Sequence, residues 1–530
     1  MYFSFSNFKP YPLKQPIQIR PITLLYGPNS QGKSSINQAL TLFSQSFLSK
    51  KSSSFGISND TEGSNQLDSD TEGSNQLDSE EIFELLLNSS EHNFGEYSNI
   101  CHKGNTSEPI IFEIETDHLS RRNWSLAKAM RFNLEGKKTR VYRKRVTYEF
   151  RPKSVDPETG IPLDGTTGIL SRLTYRFEFM DAGEVSHVDG FSFIRDPKHN
   201  RWTIDRGDLS DFEFFCQGSR DYIAQYGFTN IPSKEQVQYV IQNSQGFNFY
   251  LEERSIFVTM TSKDSIQTGS SAQRNSMPVS TVTRFLSHLL DNSDIALAMT
   301  NIKRISGTRK APERIYQSSD SMAGALKVLM QPGDENTTRR DKFNEKLKKL
   351  HIHYAIPPWD KCRELEGYYL FKLEILEKGE PSGRYVSLVD VGVGVSQVLP
   401  ILCEIELMAD NQTKSKRRIP NLLMIEQPEL HLHPRLQTEL ADSFIDNKGA
   451  GSFLIETHSE EILQRILRRI REGKLKPQDV SLLYVKQDKN GVSNTEEVEI
   501  SENGNFCTPW PDPDGFFSES YRESIRGKSG

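Results

Sequence analysis

The segment Gly27-Pro28-Asn29-Ser30-Gln31-Gly32-Lys33-Ser34 has the spacing G-x-x-x-x-G-K-[ST], a loop that closes around phosphate oxygens. Gly27 and Gly32 let the chain wrap so that backbone N–H groups and the N-terminus of a following helix face anions, which the helix dipole also favours. Lys33 is placed to reach the β- and γ-phosphates of a nucleoside triphosphate, and the Ser34 hydroxyl to bind Mg²⁺. Asn29 and Ser35 complete the candidate nucleotide contacts of this loop.

A second set of chemical residues lies almost four hundred positions later. Leu422-Leu423-Met424-Ile425-Glu426 is an apolar run ending in a carboxylate, the form in which a Walker-B acid reaches Mg²⁺ from the end of a strand; alone, it also reads as an ordinary buried strand with a polar end. Gln427 follows; in the ABC-type ATPases, which this stretch resembles, an acid at this place is the general base, whereas an amide accepts no proton at neutral pH. Slow hydrolysis or another base is the consequence, with Glu429 and Glu456 as candidate substitutes and Gln427 itself able to orient water as in the small GTPases. Ser452-Phe453-Leu454-Ile455 leads to Glu456-Thr457-His458-Ser459, and a histidine at a strand end can donate to a γ-phosphate or to attacking water. The same residues also read as a helix start, because Ile462, Leu463, Ile466 and Leu467 follow Ser459 at helical spacing. Upstream, Gly392, Gly394, Ser396 and Gln397 form a glycine-rich turn running into an apolar helix, a second anion-binding nest.

These residues need strands and helices to hold them. Ile22 to Tyr26 reads as a buried strand, and Ile36, Leu40, Phe43 and Phe47 give a helix from Ser34 to about Phe47 one buried face. Ser52 to Ser79 is polar and contains a perfect tandem decapeptide, Asp60 to Ser69 repeated as Asp70 to Ser79, which has no apolar face to stack and reads as a flexible surface insertion. From about Ile110 to Gly383 there are strand-like pieces such as Thr174 to Phe179 and helix-like ones such as Val282 to Leu290 and Arg340 to Leu350, an insertion with its own packing. After Tyr385 strands and helices alternate in the α/β pattern. The expected parts are 1–110, a lobe with the phosphate loop and the 52–79 insertion; 111–383, the inserted portion; 384–490, the lobe with the glycine-rich turn, Glu426 and His458; and 491–530, a tail.

Composition narrows the setting. Sixty-five basic and 71 acidic residues leave a net charge of −6, too mild to imply a nucleic-acid partner over the whole surface. Five scattered cysteines without a CxxC pair indicate neither a disulfide framework nor a zinc site, as a reducing cytosol allows. No apolar run approaches the roughly 18 residues of a membrane span, and no signal peptide is read, so the expectation is a cytoplasmic protein. Two stretches concentrate positive charge: Lys137 to Arg145, expected as an exposed strand, and Arg339 to Lys349, expected as a helix.

The order glycine-rich turn, helix, Walker-B strand with Pro428, then strand and His458 resembles the soluble ABC-type ATPases, alongside the SMC, RecF and OLD proteins. It is similar to a bacterial group of AAA-annotated, OLD-like ATPases that includes the Septu PtuA proteins, through Ile425 to Pro434, Glu456 to Glu460, Gly95 to Gly104, Arg309 to Arg314, and Trp510-Pro511 with Gly515 to Phe517. The resemblance covers roughly the first 50 and the last 150 residues, with islands between.

The resemblance implies an α/β fold of ABC type with a large α+β insertion, ATP and Mg²⁺ as cofactors, and a homodimer or higher homo-oligomer. Gly394 and Ser396 would then contact the γ-phosphate held by another copy, His433 would occupy the D-loop acid position, and His458 would be the switch histidine. It further implies an ATP-dependent switch subunit of an anti-phage defence complex controlling an effector, a nuclease being the expected partner, with DNA or RNA as another. A standalone RecF-like repair ATPase and a non-hydrolysing scaffold cemented by ATP are the alternatives. Fewer than about 75 residues follow His458, too few for the metal-binding Toprim domain of OLD nucleases, and Asp512-Pro513-Asp514 reads as a turn, so no nuclease site is expected.

Overall fold

A computed structural model describes residues 1–54, 84–89, 92–116, 131–134, 137–153, 167–181, 184–196, 201–205, 293–307, 309, 312–317, 321–361, 363–365, 368–414 and 421–511. The decapeptide repeat, the 282–290 helix and Asp512 to Asp514 lie outside the described residues. The chain divides into two compact units, Met1–Ile17 with Gln38–Thr300 and Gln18–Asn37 with Asn301–Gly530.

The second unit is built on a six-stranded sheet in the order Ile302–Ile305, Leu422–Glu426, Ser452–Glu456, Ile22–Tyr26, Val480–Gln487, Ser493–Glu497. The first five strands are parallel, and Ser493–Glu497 closes the edge antiparallel to its neighbour. Strands Ile22–Tyr26 and Leu422–Glu426 are buried throughout, which is why both read as unbroken apolar runs: a central parallel strand is covered on both faces. The register sets Glu426 level with Glu456, and Glu456 level with Leu25, so the strand carrying Glu456 lies between the one leading to the phosphate loop and the one ending in Glu426.

Three helices start at the carboxyl ends of these strands, and a fourth, Val393–Lys414, leads into Leu422–Glu426. Lys33–Ser54 begins directly after the phosphate loop and runs beyond Phe47, the expected end. Val393–Lys414 opens with the glycine-rich turn. Pro434–Asp446 has proline at its first position and is capped by His433, whose Nδ1 accepts from the Arg435 N–H at 3.3 Å. Glu460–Arg471 is capped by Ser459, whose Oγ accepts from the Ile462 N–H at 3.1 Å, and it starts acidic and ends basic in accord with its dipole. Asp442 accepts from Arg469 at 2.6 Å and also from Arg465, tying these last two helices together. The basic stretch near residue 340 is helical as expected, over Asp334–Lys349.

The first unit contains a sheet in the order Gln15–Gln18, Tyr2–Ser6, Ile110–Thr116, Lys137–Pro152, Gly168–Asp181, Glu184–Asp196, Arg201–Ile204, with Arg131–Leu134 also paired to Lys137–Pro152. Its core is aromatic: Phe43 stacks on Phe112 with centroids 4.8 Å apart and meets Tyr148 edge-on at 5.1 Å. Among the described residues no helix is long and apolar enough to cross a membrane.

Candidate active site

The phosphate loop is shaped by left-handed backbone, which glycine adopts most readily. At Gly27, with φ +140°, an added Cβ would stand 2.1 Å from the Val485 carbonyl oxygen, so the loop leaves its strand pressed against the neighbouring one. Ser30 and Gly32 also take positive φ, 61° and 104°, which curls the loop toward the start of the helix. Gln31 anchors it from the far side: its side-chain oxygen accepts from the Gln487 N–H and its carbonyl from Ser493 Oγ, the latter at 2.7 Å.

Lys33 is only 4% exposed and folds back over this loop, donating to the carbonyls of Gly27 at 2.8 Å and Pro28 at 2.7 Å. Burial lowers its pKa, against the pull of Glu456 and Glu429. A buried ammonium held on neutral carbonyls at a helix N-terminus favours an anion, and a triphosphate fits that requirement.

The carboxylates are arranged in an order that the motifs alone do not specify. Ser34 Oγ donates to Glu456 Oε1 at 2.9 Å, and Asn37 Nδ2 donates to Glu456 Oε2 at 3.0 Å and approaches Glu426 Oε1 at 3.5 Å. Glu426 is taken by other donors: Arg304 Nε at 2.9 Å on Oε1 and the Gly307 N–H at 3.2 Å on Oε2. The structure thus places Ser34 and Glu426 on either side of Glu456. Burial raises the Glu456 pKa, and the Glu426 charge adds to the rise while the Ser34 hydrogen bond opposes it. Hydroxyl and carboxylate oxygens from Ser34, Glu456 and Glu426 are the hard donors that suit Mg²⁺.

Gln427 takes φ 46°, and its N–H donates to the Glu456 carbonyl at 2.6 Å, extending the ladder one step past the strand end. Its side chain rests at Gly307, where an added Cβ would come 3.0 Å from Gln427 Oε1. Glu429 holds the opposite turn, accepting from Thr457 Oγ1 and from the His458 backbone N–H, both at 2.7 Å. Those two bonds commit both Glu429 oxygens to fixing the His458 turn. His458 itself is half-buried, and burial, then the Lys33 charge, pushes its pKa down to about 4, leaving a neutral imidazole near neutral pH.

The glycine-rich turn forms a separate group. A Cβ on Gly394 would lie 2.9 Å from the His431 carbonyl oxygen, so this glycine permits a close backbone approach to the loop after Glu426. Ser396 Oγ donates to the Val393 carbonyl at 2.8 Å, and Gln397 Oε1 accepts from Arg309 at 2.8 Å. His433 is exposed beyond its capping bond, and Asn29 is exposed on the loop.

Sequence reasoning passed over Asn37, Arg304 and Gly307, and noted Arg309 without a role. Asn37 had a usable signal, since it stands one helical turn after Lys33 and shares its face. Arg304 and Gly307 carried none, because their contact with Glu426 spans over a hundred residues.

Among the described side chains, several of the basic residues in the two stretches pair with carboxylates within the fold. Arg145 donates to Glu115 at 2.9 Å, and Arg143 lies 3.5 Å from Glu115 and 3.6 Å from Glu178. In the helix, Arg339 and Arg340 are buried, Lys346 pairs with Glu406, and Lys348 lies 3.2 Å from Glu345.

Residues 1–463 match the AAA ATPase domain family. No curated protein matches the chain. Among solved structures it is similar to the SMC head domain from Thermotoga maritima, at 11% identity and a TM-score of 0.33, with 94% of this chain and 98% of that one covered. It is also similar to an Smc head domain with an extended coiled coil bound to the C-terminal domain of ScpA, derived from Pyrococcus furiosus, at 10% identity and a TM-score of 0.34, with 94% and 96% covered. With most of its length matched and its phosphate loop set at the end of a parallel sheet, the chain belongs to the AAA ATPase domain family.

Proposed function

We propose that the protein binds ATP with Mg²⁺ and uses it as a switch, two copies closing around two nucleotides in ABC fashion to control a partner effector. The observation that carries this reading is the convergence of Lys33, Ser34, Glu426, Glu456 and His458 at the carboxyl ends of adjacent parallel strands. Lys33 would hold the β- and γ-phosphates, Ser34 and Glu426 would supply oxygens to the metal, and His458 would donate from a neutral ring to the γ-phosphate. When bound, Mg²⁺ supplies charge neutralisation on the β- and γ-oxygens. Glu456 takes the proton-accepting role that Gln427 lacks, because burial raises its proton affinity toward the range useful to a general base.

Gly394, Ser396 and Gln397 serve the nucleotide of the second copy, with His433 at the same interface. The likeness of Ile425 to Pro434 and Glu456 to Glu460 to the Septu PtuA-like group supports a role in anti-phage defence, in the cytoplasm, with a nuclease as effector and DNA or RNA as a further partner. Gln427 favours one other reading, an ATP-cemented scaffold with little turnover.

The test is steady-state ATP turnover by the wild-type protein with and without duplex DNA, together with its oligomeric state with and without ATP. ATP-dependent dimers with turnover support the switch; ATP-dependent dimers without turnover support the scaffold; tight ATP binding by a permanent monomer contradicts both.

A further inference from the structure

Arg304, Gly307 and Arg309 surround the end of the Leu422–Glu426 strand. Arg304 and the Gly307 N–H hold the Glu426 carboxylate, Gly307 lies against the Gln427 amide, and Arg309 completes the group. Arg309 spends its guanidinium on two different elements. Nη1 donates to the Glu426 carbonyl at 3.3 Å and Nη2 to the Gln427 carbonyl at 2.9 Å, while Nε donates to Gln397 Oε1 at 2.8 Å. Gln397 is only 8% exposed and sits beside Ser396 in the first turns of Val393–Lys414.

From this geometry we infer that Arg309 is a positioning residue that transmits the state of the Glu426–Gln427 strand end to the glycine-rich turn of the same chain. This rests on the nucleotide-binding reading above and adds to it a route between the two half-sites of one chain. A planar guanidinium with three donors on three oxygens makes one rigid connection, so displacement of the strand end is passed to Gln397 without a flexible joint. Lysine cannot replace it, because one ammonium at the end of a flexible stem does not reproduce the fork. The backbone acceptors matter as well: they are the carbonyls of Glu426 and Gln427 at the strand end, so the connection reads main-chain position instead of side-chain identity.

The experiment is hydrogen exchange with mass spectrometry on the full chain, with and without ATP and Mg²⁺, for the wild type, Arg309→Ala, Arg309→Lys and Gln397→Ala. In the wild type ATP is expected to slow exchange at both 27–34 and 392–400. In Arg309→Ala and Arg309→Lys the change at 27–34 persists while that at 392–400 is lost, and adding Gln397→Ala to Arg309→Ala causes no further loss. On the reading above Gln397 also serves the nucleotide of the second copy, so Gln397→Ala alone does not separate the route from that contact; a further loss at 392–400 when it is added to Arg309→Ala overturns the route. An ATP response at 392–400 in Arg309→Ala equal to that of the wild type overturns the inference. So does a wild type that responds at 27–34 but not at 392–400. A wild type that responds at neither removes the nucleotide-binding reading first and this inference with it.

Discussion

Ser34 Oγ and Glu456 Oε1 are hydrogen-bonded at 2.9 Å, while Glu426, the acid at the Walker-B position, is held instead by Arg304 and the Gly307 N–H. The acid in contact with the phosphate-loop serine is therefore the one on the intervening strand. On the proposed reading this carboxylate substitutes for the base that Gln427 cannot provide.

Glu456→Gln is expected to lower turnover by about 10²- to 10⁴-fold, the usual worth of a general base, with ATP affinity changed far less. Single-turnover kinetics beside equilibrium ATP binding checks this. Preserved turnover with weakened Mg²⁺ affinity would move Glu456 to a purely metal-holding role.

Gln427→Glu is expected to raise turnover more than it changes ATP affinity, since it adds a proton acceptor at the end of the Leu422–Glu426 strand. Equal effects on both quantities would count against a place for this residue beside the reacting phosphate.

His458 is held to about pH 4, chiefly by burial and further by the Lys33 charge, so it donates as a neutral ring. Its protonation should then leave no inflection in turnover between about pH 6 and 8, although the free imidazole titrates near 6.5. An inflection in that interval that disappears in His458→Gln would contradict the assignment.

Arg304→Ala leaves the Glu426 carboxylate, 8% exposed, without its ion-pair partner. Removing one partner of a buried pair costs about 3–5 kcal/mol. Urea unfolding should show a large loss for Arg304→Ala and partial recovery when Glu426→Gln is added, because the uncompensated charge is then gone. No recovery in the double variant would mean that Arg304 acts through packing.

Asp442 gives a stability prediction away from the nucleotide site. Burial alone would raise its pKa, but the hydrogen bonds from Arg469 and Arg465 outweigh that and hold it below the ordinary value. A depressed carboxylate contributes stability above its unfolded pKa and loses that contribution as the pH falls through the lower folded value. Asp442→Asn should therefore cost about 1–2 kcal/mol at neutral pH, a partly exposed pair of charged hydrogen bonds being worth less than a buried one. The gap from the wild type should close as the pH falls below about 4. A gap that stays unchanged as the pH falls well below about 4, through the depressed folded value, would show that charge is not the cause.

Much of this site was legible before any coordinates. The phosphate loop, the Glu426 strand, the His458 strand end and the glycine-rich turn each have local signals, because glycine conformation and strand-end polarity are set within a few residues. The order of the acids was not legible. It follows from Ser452–Glu456 pairing between Ile22–Tyr26 and Leu422–Glu426, a choice made by parallel pairing over more than four hundred residues. Arg304 and Arg309 were hidden for the same reason, since their acceptors lie 88 to 122 positions away. The basic strand was legible as a strand, whereas its charge balance was not, because Glu113, Glu115 and Glu178 reach Arg143 and Arg145 from the adjoining strands.

The most direct test of the central claim is calorimetric titration of ATP with Mg²⁺ into the wild-type protein and into Lys33→Ala. The account predicts saturable binding by the wild type and its loss in Lys33→Ala, with the thermal midpoint of the nucleotide-free variant close to that of the wild type, since Lys33 donates only to carbonyls of its own loop that water can reach once the side chain is gone. Equal ATP affinity in the two proteins would contradict it.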